Sequence, residues 1–518
     1  MSLDTLPAQA AVQRALASTR AVTTAVVVVA FVARMVTFSG VGLRSIQGYD
    51  EGVYYAGAAA LVSGRVPYQD FLFLHPPGVL LLLAPFAELG RLTSDSFGLS
   101  VARVTFWALG ALNAGLVARI AARGGQVPAA VAGLCYAVWQ PAVYAERTLL
   151  LEGSGNTALL VALLLLGRTR TPFSGRAQLA AGAAMGAAAC IKIWMVVPLG
   201  VLLGWQLLTA GRRAALRVSA GAAVAGVLIL APFLPQWRPM FRMVVTDQGE
   251  RVREVAVVER LTMVAGLRPL TDNVPAVAVD LAVVAVCLLT AFAAVLAWSR
   301  PASRVHVVLL CASVAVLLGV PTMYDHYAAF AAAPFALVLG GAVAALRDRR
   351  RAQAITRGTP GAGGRALHRA AVPAALVLGV LLAVHVRTLA APYGAEFPAA
   401  QLRPHVAQRP CLVTDLPMVP VLLDVLSRDL DRGCPLRVDV TGEEFDAYRE
   451  RGPGGAAVDR SDNEAWQGLM QQYLTSGSST VLARSQTGLS ATTQDRLATL
   501  PVLARVGPYT VLGRSTAR

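Results

Sequence analysis

Long apolar segments, separated by short clusters of arginine, run through most of this chain. A helix needs roughly 20 apolar residues to cross a bilayer, and about eleven segments approach that length. We therefore expect an α-helical polytopic membrane protein. Residues 76–89 are also apolar, but this stretch is short and opens on two prolines, which favours an interfacial or re-entrant helix. The predicted spans lie near residues 21–39, 98–119, 127–145, 149–167, 178–191, 194–210, 216–234, 277–298, 305–323, 327–346 and 370–390.

The composition agrees with a membrane protein. Of the 518 residues, 55% are hydrophobic and 15% are charged, whereas roughly 25% of the residues in soluble domains are charged. The formal net charge of +16 would also suit a nucleic-acid-binding protein. However, the arginines form short clusters beside apolar segments without interleaved aromatic residues, which is typical of cytoplasmic loops and argues against nucleic acid as a partner.

The arginine clusters also predict which loops face the cytoplasm. If residues 1–20 form a cytoplasmic tail, every connection that falls inside is basic, whereas a shift of one span would scatter the clusters to both sides. We therefore expect a multi-pass protein of the plasma membrane. The first span has a long apolar core without a clear small-x-small cleavage site after it, which indicates an anchor and not a signal peptide. The inside clusters contain Arg119, Arg123, Arg168, Arg170, Arg176, Arg212, Arg213, Arg217, Arg300, Arg304 and the arginines of a linker from Arg347 to Arg369.

Residues 391–518 lack membrane-like segments and alternate short β-type runs with helical stretches such as Asn463–Leu474. They predict a small α/β domain outside the membrane. The chain then divides into the tail, a transmembrane domain at 21–390 with a first outer loop at 40–97, and this extracytoplasmic domain. The predicted strands are Cys411–Thr414, Leu436–Val440, Thr480–Ala483 and Tyr509–Leu512.

The six cysteines fall into two groups. Cys411 and Cys434 lie in the outer domain, where a disulfide can persist, so we expect them to pair. The other four lie in predicted spans and suit apolar packing. No cysteine has the spacing of a metal ligand.

Two adjacent carboxylates, Asp50 and Glu51, follow the first span in a loop rich in aromatic residues, among them Tyr55. Carboxylates in an exposed loop are usually just solvated, and aromatic residues at this depth also anchor membrane interfaces. A carboxylate at the lip of a membrane protein can also remove a proton from an incoming hydroxyl. Both residues are therefore candidate catalytic groups, and a His75-Pro-Pro-Gly78 turn follows in the same loop.

Glu152 and Asn156 lie one helical turn apart at the start of a predicted span, so they share a helix face. Ionisable groups in spans are rare enough that a functional role is the default hypothesis. Arg147, just upstream, suits either an ordinary helix end or a cation near the same site.

Lys192 is the single lysine of this arginine-rich chain. It falls between two short apolar runs, in a predicted tight turn at the outer face. A snorkelling cation at a helix end is the ordinary alternative, but its usual side is the cytoplasmic one. A compact ammonium suits a phosphate as a point charge. We expect Asp50, Glu152 and Lys192 to line one cavity that opens to the outer face.

Other polar elements are less specific. His326, at the outer mouth of a span, suits a polar cap or a ligand contact equally well. The mixed charges from Asp247 to Arg260 predict a surface helix with i,i+4 pairs, from which one arginine could reach a phosphate. The chain has no GxGxxG, P-loop, HExxH or GxSxG motif in a suitable context, so nucleotide-driven chemistry is not indicated.

The chain resembles the GT-C glycosyltransferases of the protein O-mannosyltransferase and aminoarabinose-transferase type. The resemblance rests on four features that occur in this order: the acidic pair, the His-Pro-Pro-Gly turn, the Glu152/Asn156 face and the segment around Lys192. The resemblance covers roughly residues 20–390. It implies an enzyme that takes a sugar from a polyprenyl phosphate on the outer face of the membrane. The sugar passes to a glycan, lipid or protein acceptor, usually with inversion.

The resemblance also implies roles for individual residues. Asp50 would be the general base, Glu51 would orient it or contact the acceptor, and Glu152 would be a further acidic residue of the site. Lys192 and Arg147 would hold the donor phosphate and stabilise the charge that develops on it. Some relatives have a basic residue where this chain has a histidine before the two prolines, and some bind a divalent cation through such carboxylates, so a metal stays open. The expected substrate cavity is lined by Tyr55, His75, Asn156 and His326.

Two rival functions remain open at this point. One is a transporter or lipid flippase with an outer domain, and the other is a non-catalytic membrane protein that binds lipid-linked glycans. Transporters usually show internal repeats and broken helices near the membrane midplane. The polar residues of this chain gather at the outer face instead, which favours the enzyme.

Overall fold

A bundle of membrane-type helices is followed by a small α/β domain. The computed structural model describes residues 5–167, 174–251, 255–355, 362–389, 393–445, 458–483 and 488–514. The predicted loop around Arg168 and Arg170, part of the arginine-rich linker and the predicted domain boundary at residue 391 lie outside the described residues.

Seventeen helices of very different length belong to the bundle within the described ranges. They are α1 (Thr5–Val36), α2 (Tyr49–Val62), α3 (Gly78–Leu92), α4 (Asp95–Ala121), α5 (Gln126–Val138), α6 (Gln140–Glu146), α7 (Leu151–Leu166), α8 (Ser174–Ala189), α9 (Val196–Ala210), α10 (Arg212–Leu230), α11 (Trp237–Phe241), α12 (Asp247–Gly249), α13 (Val257–Val264), α14 (Ala276–Trp298), α15 (Arg304–Gly319), α16 (Ala332–Ile355) and α17 (Ala362–Leu389).

Eight helical segments of the described chain are long and apolar enough to cross a membrane. A ninth results if α6 and α7, which meet at an angle of 110°, count as one broken span. The predicted total of about eleven spans is therefore not confirmed. The predicted span at 127–145 is divided into α5 and α6 at Trp139, and α3, predicted as an interfacial helix, is not among the eight.

The predicted span at 178–191 corresponds to α8, which has 16 residues and packs closely on α10. Gly182 and Gly186 of α8 and Gly221 of α10 lie at the contact, where a Cβ would collide with backbone atoms of the facing helix. Small residues let membrane helices approach in this way.

Arginines from distant loops meet at one end of the bundle. Arg300, between α14 and α15, forms an ion pair with Asp348 of α16, with 2.9 Å between Nε and Oδ2. The guanidinium of Arg123 packs against Gly167 at the end of α7. These contacts agree with the assignment of the basic loops to one side of the membrane.

The predicted surface helix between Asp247 and Arg260 is not formed as one element, because the described part contains the short α12 and α13 instead. Arg260 is buried and donates hydrogen bonds to the carbonyls of Leu317, Val320 and Pro321 at the end of α15. Arg260 therefore stabilises the C-terminal end of α15, and these three hydrogen bonds occupy its guanidinium.

The C-terminal domain carries a four-stranded sheet in the order β1-β2-β4-β3. Strands β1 and β2 are parallel, and the other two pairs are antiparallel. Its elements are α18 (Ala399–Val406), β1 (Leu412–Thr414), α19 (Met418–Leu422), α20 (Leu426–Asp431), α21 (Glu464–Leu474), β2 (Ser479–Leu482), α22 (Ala491–Ala498), β3 (Val502–Val506) and β4 (Tyr509–Gly513).

Several sequence predictions for this domain are confirmed. Strands β1, β2 and β4 form where they were expected, and α21 begins after Asn463, whose side chain accepts a hydrogen bond from the Trp466 amide at 2.7 Å. Cys411 and Cys434 form the predicted disulfide, with a Cα–Cα distance of 5.5 Å. The prediction of a strand at Leu436–Val440 is wrong, because no strand forms there, and β3 was not predicted.

The C-terminal domain packs on the first outer loop. A Cβ at Gly52 of α2 would come within 2.8 Å of the Met418 amide nitrogen, so helix and domain touch backbone to backbone. Asp424 accepts a hydrogen bond from the Ser96 amide at 2.8 Å. A single buried apolar cluster includes residues of both parts. The N-terminal end of α2 is thereby held between bundle and domain, and it carries the acidic pair.

Candidate functional site

The two adjacent carboxylates of α2 have different surroundings. Glu51 is buried and forms an ion pair with Arg103 of α4, whose guanidinium also donates to the Ser45 carbonyl at 3.0 Å. The side chain of Asp50 is 38% exposed, and its Oδ2 lies 3.5 Å from Nε2 of His326. Glu51 therefore anchors the start of α2, while Asp50 faces open space.

That space is a cavity of about 320 Å³, here called the Asp50 cavity. Its walls come from the start of α2, the turn between α6 and α7, the segment before α16 and the C-terminal domain. The lining residues are Gln47, Gly48, Tyr49, Asp50, Glu51, Tyr144, Arg147, Thr148, Leu150, Tyr324, Asp325, His326, Thr441 and Arg460.

Arg147 provides a buried cation in the Asp50 cavity. Its guanidinium lies between the rings of Tyr144 and Tyr393, 4.8 and 4.6 Å from the two centroids. It donates to the side-chain oxygen of Gln47, and the indole of Trp107 holds its carbonyl at 2.9 Å. Within the described residues, no carboxylate lies at ion-pair distance from Arg147. Its charge is therefore available to an anion.

Glu152 and Lys192 form a second buried ion pair. The Lys192 ammonium also lies 4.2 Å from the ring centroid of Trp194 and 4.1 Å from that of Tyr327. The second carboxylate oxygen of Glu152 has no hydrogen-bond partner in the described part of the chain. Nε2 of His326 lies 4.0 Å from the other oxygen, so this imidazole stands between Asp50 and Glu152.

Lys192 opens into a different space, a cavity of about 190 Å³ here called the Lys192 cavity. Asp50 and Lys192 thus line two neighbouring cavities, which approach each other at His326 and Tyr327, and a single shared cavity stays a prediction. The Lys192 cavity is mainly apolar. Its lining residues are Leu74, His75, Lys192, Ile193, Trp194, Val244, Val245, Gln248, Gly249, Val320, Pro321, Thr322 and Tyr327.

The His-Pro-Pro-Gly turn sets the position of His75 beside Lys192. Gly78 donates its amide to the Cys190 carbonyl at 2.7 Å, and a Cβ there would collide with that carbonyl. Nε2 of His75 lies 3.2 Å from the hydroxyl of Tyr54. Burial lowers the pKa of His75 well below its usual value, and the positive charge of Lys192 adds to this effect. His75 is therefore neutral at physiological pH.

Two of the expected cavity residues lie elsewhere. The hydroxyl of Tyr55 lies 3.2 Å from the Phe86 carbonyl and 3.1 Å from the Asp95 carbonyl, which fixes α2 against α3 and α4. Asn156 donates to the Ala329 carbonyl at 2.9 Å. Neither lines the Asp50 cavity or the Lys192 cavity.

The C-terminal domain supplies a contact to the site that sequence reasoning missed. Tyr49 donates its hydroxyl to Asp439 at 3.0 Å and accepts from the Thr441 amide at 2.9 Å. Burial raises the pKa of Asp439, and the nearby charge of Asp50 raises it further. The contact joins residues 390 positions apart, which no local pattern could indicate.

A metal site is not preformed in the described ranges, where no group of three or more His, Cys, Asp or Glu side chains is arranged to hold an ion. We derive no step through a metal. The polar groups that meet at the site are two cations, Asp50, Glu152 and two histidines.

A helical membrane bundle whose first outer loop carries an acidic pair under a C-terminal domain defines the class of this protein. The chain has the fold of the GT-C superfamily of membrane glycosyltransferases. Residues 73–321 match the sequence profile of glycosyltransferase family 87.

Solved structures of GT-C enzymes share the architecture. ArnT from Cupriavidus metallidurans, bound to undecaprenyl phosphate, is 17% identical with a TM-score of 0.59, over 96% of this chain and 99% of that chain. The oligosaccharyltransferase AglB from Archaeoglobus fulgidus, in complex with an inhibitory peptide and a dolichol-phosphate, is 11% identical with a TM-score of 0.50, over 89% and 69%.

The arabinofuranosyltransferase AftD from Mycobacteria is 16% identical with a TM-score of 0.51, over 95% of this chain and 40% of that chain. Identities this low show a common fold alone. No functionally curated protein matches the chain.

Proposed function

We propose that this protein transfers a sugar from a polyprenyl-phosphate donor to an acceptor hydroxyl at the outer face of the plasma membrane, with inversion and with Asp50 as the general base. One observation carries the assignment of the base. The carboxylates of Glu51, Glu146 and Glu152 are each paired with a buried cation, whereas Asp50 is partly exposed and faces a cavity.

Asp50 is well placed to accept a proton. It lies in the first turn of α2, within contact of His326, and the Asp50 cavity gives an acceptor access to its carboxylate. A positioned base of this kind contributes roughly 10²–10⁴-fold to a reaction rate. Glu51 acts through Arg103, which fixes the helix turn that presents the base.

The donor phosphate lies between the two cations in this proposal. Arg147 offers a planar guanidinium that is not neutralised by a carboxylate, which suits two-pronged binding of a phosphate. Lys192 faces a cavity with apolar walls, which suits the first isoprenoid units next to the phosphate. Both charges then stabilise the leaving phosphate as the glycosidic bond breaks.

Glu152 limits how strongly Lys192 binds that phosphate. In the ion pair, the carboxylate already balances the ammonium, so a bound phosphate competes with it for Lys192. The donor is thereby held firmly enough to align the sugar and released once the sugar has left. The relatives solved with undecaprenyl phosphate and with dolichol-phosphate support this class of donor.

The test is transfer by the purified protein from radiolabelled polyprenyl-phosphate mannose or arabinose to a panel of acceptors. Asp50→Asn should lower the rate by roughly 10²-fold or more. Asp325→Asn is the matched control, because Asp325 is another carboxylate that lines the same cavity, and it should keep most of the activity.

Two results would overturn the proposal. Full activity of Asp50→Asn, together with inactivity of Asp325→Asn, would move the base to Asp325. Transport of a lipid-linked sugar across vesicles without any turnover would show a flippase instead of an enzyme.

A further inference from the structure

A larger open cavity, of about 680 Å³, lies between the first outer loop and the C-terminal domain and does not include Asp50. We call it the outer groove. Its size is within the range of pockets that hold small organic ligands, roughly 300–1,000 Å³. The residues that carry the argument are Asp70, Pro435, Leu436, Arg437, Glu443 and Gln472.

The outer groove and the Asp50 cavity lie at opposite ends of α2. Asp50 is in the first turn of this 14-residue helix, and the groove begins with Arg65, just beyond the last turn. At 1.5 Å per residue, the two ends are about 20 Å apart. A single sugar ring cannot span this distance, so a ligand that reaches both places must be an extended chain.

The walls of the groove are fixed in place. Arg65 donates to the Cys434 carbonyl at 2.7 Å, and the disulfide ties Cys434 to Cys411 beside β1. Arg437 forms an ion pair with Glu443 at 2.9 Å between Nη1 and Oε1. A site whose polar groups are held before binding loses little entropy when a ligand enters.

The charges in the groove balance. Two arginines, Arg65 and Arg437, face two carboxylates, Asp70 and Glu443. A phosphate or an acidic polymer would need an excess of cations, and an alkyl chain would need walls without four charged side chains. The lining therefore fits a ligand that is neutral and polar.

The same walls combine hydrogen-bonding groups with apolar surface. Gln472 is exposed at the rim and carries both donors and an acceptor, and Asp70 is exposed and offers acceptor oxygens. Pro435, which is exposed, and Leu436, which is half-buried, add apolar surface. Sugars present hydroxyls around the ring and C–H groups on its faces, so this mixture fits a saccharide.

One segment of the C-terminal domain connects the two places. Residues 434–437 line the outer groove, and Thr441 lines the Asp50 cavity. Between them, Val438 packs against Gly57 of α2 and Asp439 binds Tyr49. The segment thus follows α2 from one end to the other.

We propose that the outer groove binds a neutral oligosaccharide, the far portion of the acceptor, and so presents its terminal hydroxyl to Asp50. This inference rests on the proposed function and narrows it, because the acceptor is then a glycan and not a peptide or a lipid headgroup. The balanced charge, the mixture of hydrogen-bonding groups and apolar surface, and the distance of about 20 Å all indicate an extended, neutral and polar ligand.

Binding is tested with the full-length protein in detergent on an array of neutral oligosaccharides, with the corresponding monosaccharides alongside. The wild type should retain at least one oligosaccharide and bind the monosaccharides weakly. Gln472→Trp, which fills the groove from the rim, should weaken binding by about tenfold or more. Glu464→Trp is the control, because Glu464 is exposed on the same helix α21 and does not line the groove.

Failure of this inference can be told apart from failure of the proposed function. Asp50→Asn should retain the oligosaccharide and lose transfer, while Gln472→Trp should raise KM for the oligosaccharide and leave kcat nearly unchanged. Oligosaccharide binding without transfer in the wild type would sink the proposed function alone. Retention of no neutral oligosaccharide, or equal binding by wild type and Gln472→Trp, would overturn the groove assignment.

Discussion

Consecutive residues of a helix point about 100° apart, and the first turns of α2 show what this separation does. Asp50 faces a cavity, whereas the carboxylate of Glu51 is bound by Arg103 in the interior. One turn later, Tyr54 contacts His75, whereas Tyr55 bonds to the backbone of neighbouring helices. In each pair, the first residue contacts the site and the second anchors the helix.

Glu51→Gln should therefore damage the fold before it damages the chemistry. Removing one partner of a buried ion pair leaves an uncompensated charge, at a cost of about 3–5 kcal/mol. Thermal unfolding of the purified protein measures the loss. Asp50→Asn, one residue away and partly exposed, should stay within about 0.5 kcal/mol of the wild type.

The double variant Glu51→Gln, Arg103→Met is the control for that mechanism. It removes both charges and should recover part of the lost stability. If it is no better than Glu51→Gln alone, the cost comes from lost packing and not from the unpaired arginine.

His75 should make the stability of the protein depend on pH. Its folded pKa is lowered by burial and by Lys192, so the unfolded chain takes up a proton first as the pH falls below about 6.5, the ordinary value for histidine. Folding stability should then decrease by up to about 1.4 kcal/mol per pH unit for this group. Above that pH, His75 is neutral in both the folded and the unfolded chain, so it no longer contributes to the pH dependence of folding stability.

The measurement is the unfolding free energy of wild type and His75→Gln between pH 7.5 and pH 5, a range about the ordinary histidine value. The variant should lose stability less steeply than the wild type. His405→Gln, in the C-terminal domain, is the control and should follow the wild-type curve. Parallel curves for His75→Gln and wild type would contradict the prediction.

Sequence reasoning identified residues of the site more readily than their partners. Lys192, Glu152 and Asp50 stood out because charge is rare in an apolar chain. Arg103 did not stand out, since an arginine in a predicted span has no local sign of a carboxylate 52 positions earlier. Tyr55 was expected to line the cavity and instead bonds to the backbone beside α3 and α4, because composition does not show which face of a helix points to a cavity.

At the scale of elements, the segment 436–440 shows how a correct pattern leads to a wrong element. Val438 and Val440 are buried and alternate with more polar residues, as in a half-buried strand. The pattern reports an extended chain with one buried face. It does not indicate which element packs against that buried face, and here that element is α2 and not another strand.

The close contact of α8 and α10 gives a prediction for helix packing. Gly182→Ala should destabilise the protein by about 1–3 kcal/mol, because the added methyl collides with the Val218 carbonyl and pushes the helices apart. Gly200→Ala in α9 is the matched control, since a Cβ there meets no atom within 4 Å. Thermal unfolding in detergent compares the two, and equal effects would contradict a packing cause.

At the scale of the whole molecule, the arginine clusters and the acidic site lie at different ends of the bundle. The positive-inside rule then predicts that the C-terminal domain lies outside. In a background without Cys287 and Cys311, Ser461→Cys should react with a membrane-impermeant maleimide on intact cells, and Arg213→Cys should react only after lysis. Both positions are exposed, so the opposite result would invert the topology and refute an outer active site.

The hydrogen bond between Tyr49 and Thr441 closes over 392 residues of chain. Ribosomes add roughly 5–20 residues per second, so about 20–80 s pass between the synthesis of one partner and that of the other. During that interval α2 is already at the membrane while the backbone that will cover Gly52 and bind Tyr49 does not yet exist. We therefore expect the site to be complete, and transfer to begin, only after the C-terminal domain has been synthesised and has folded.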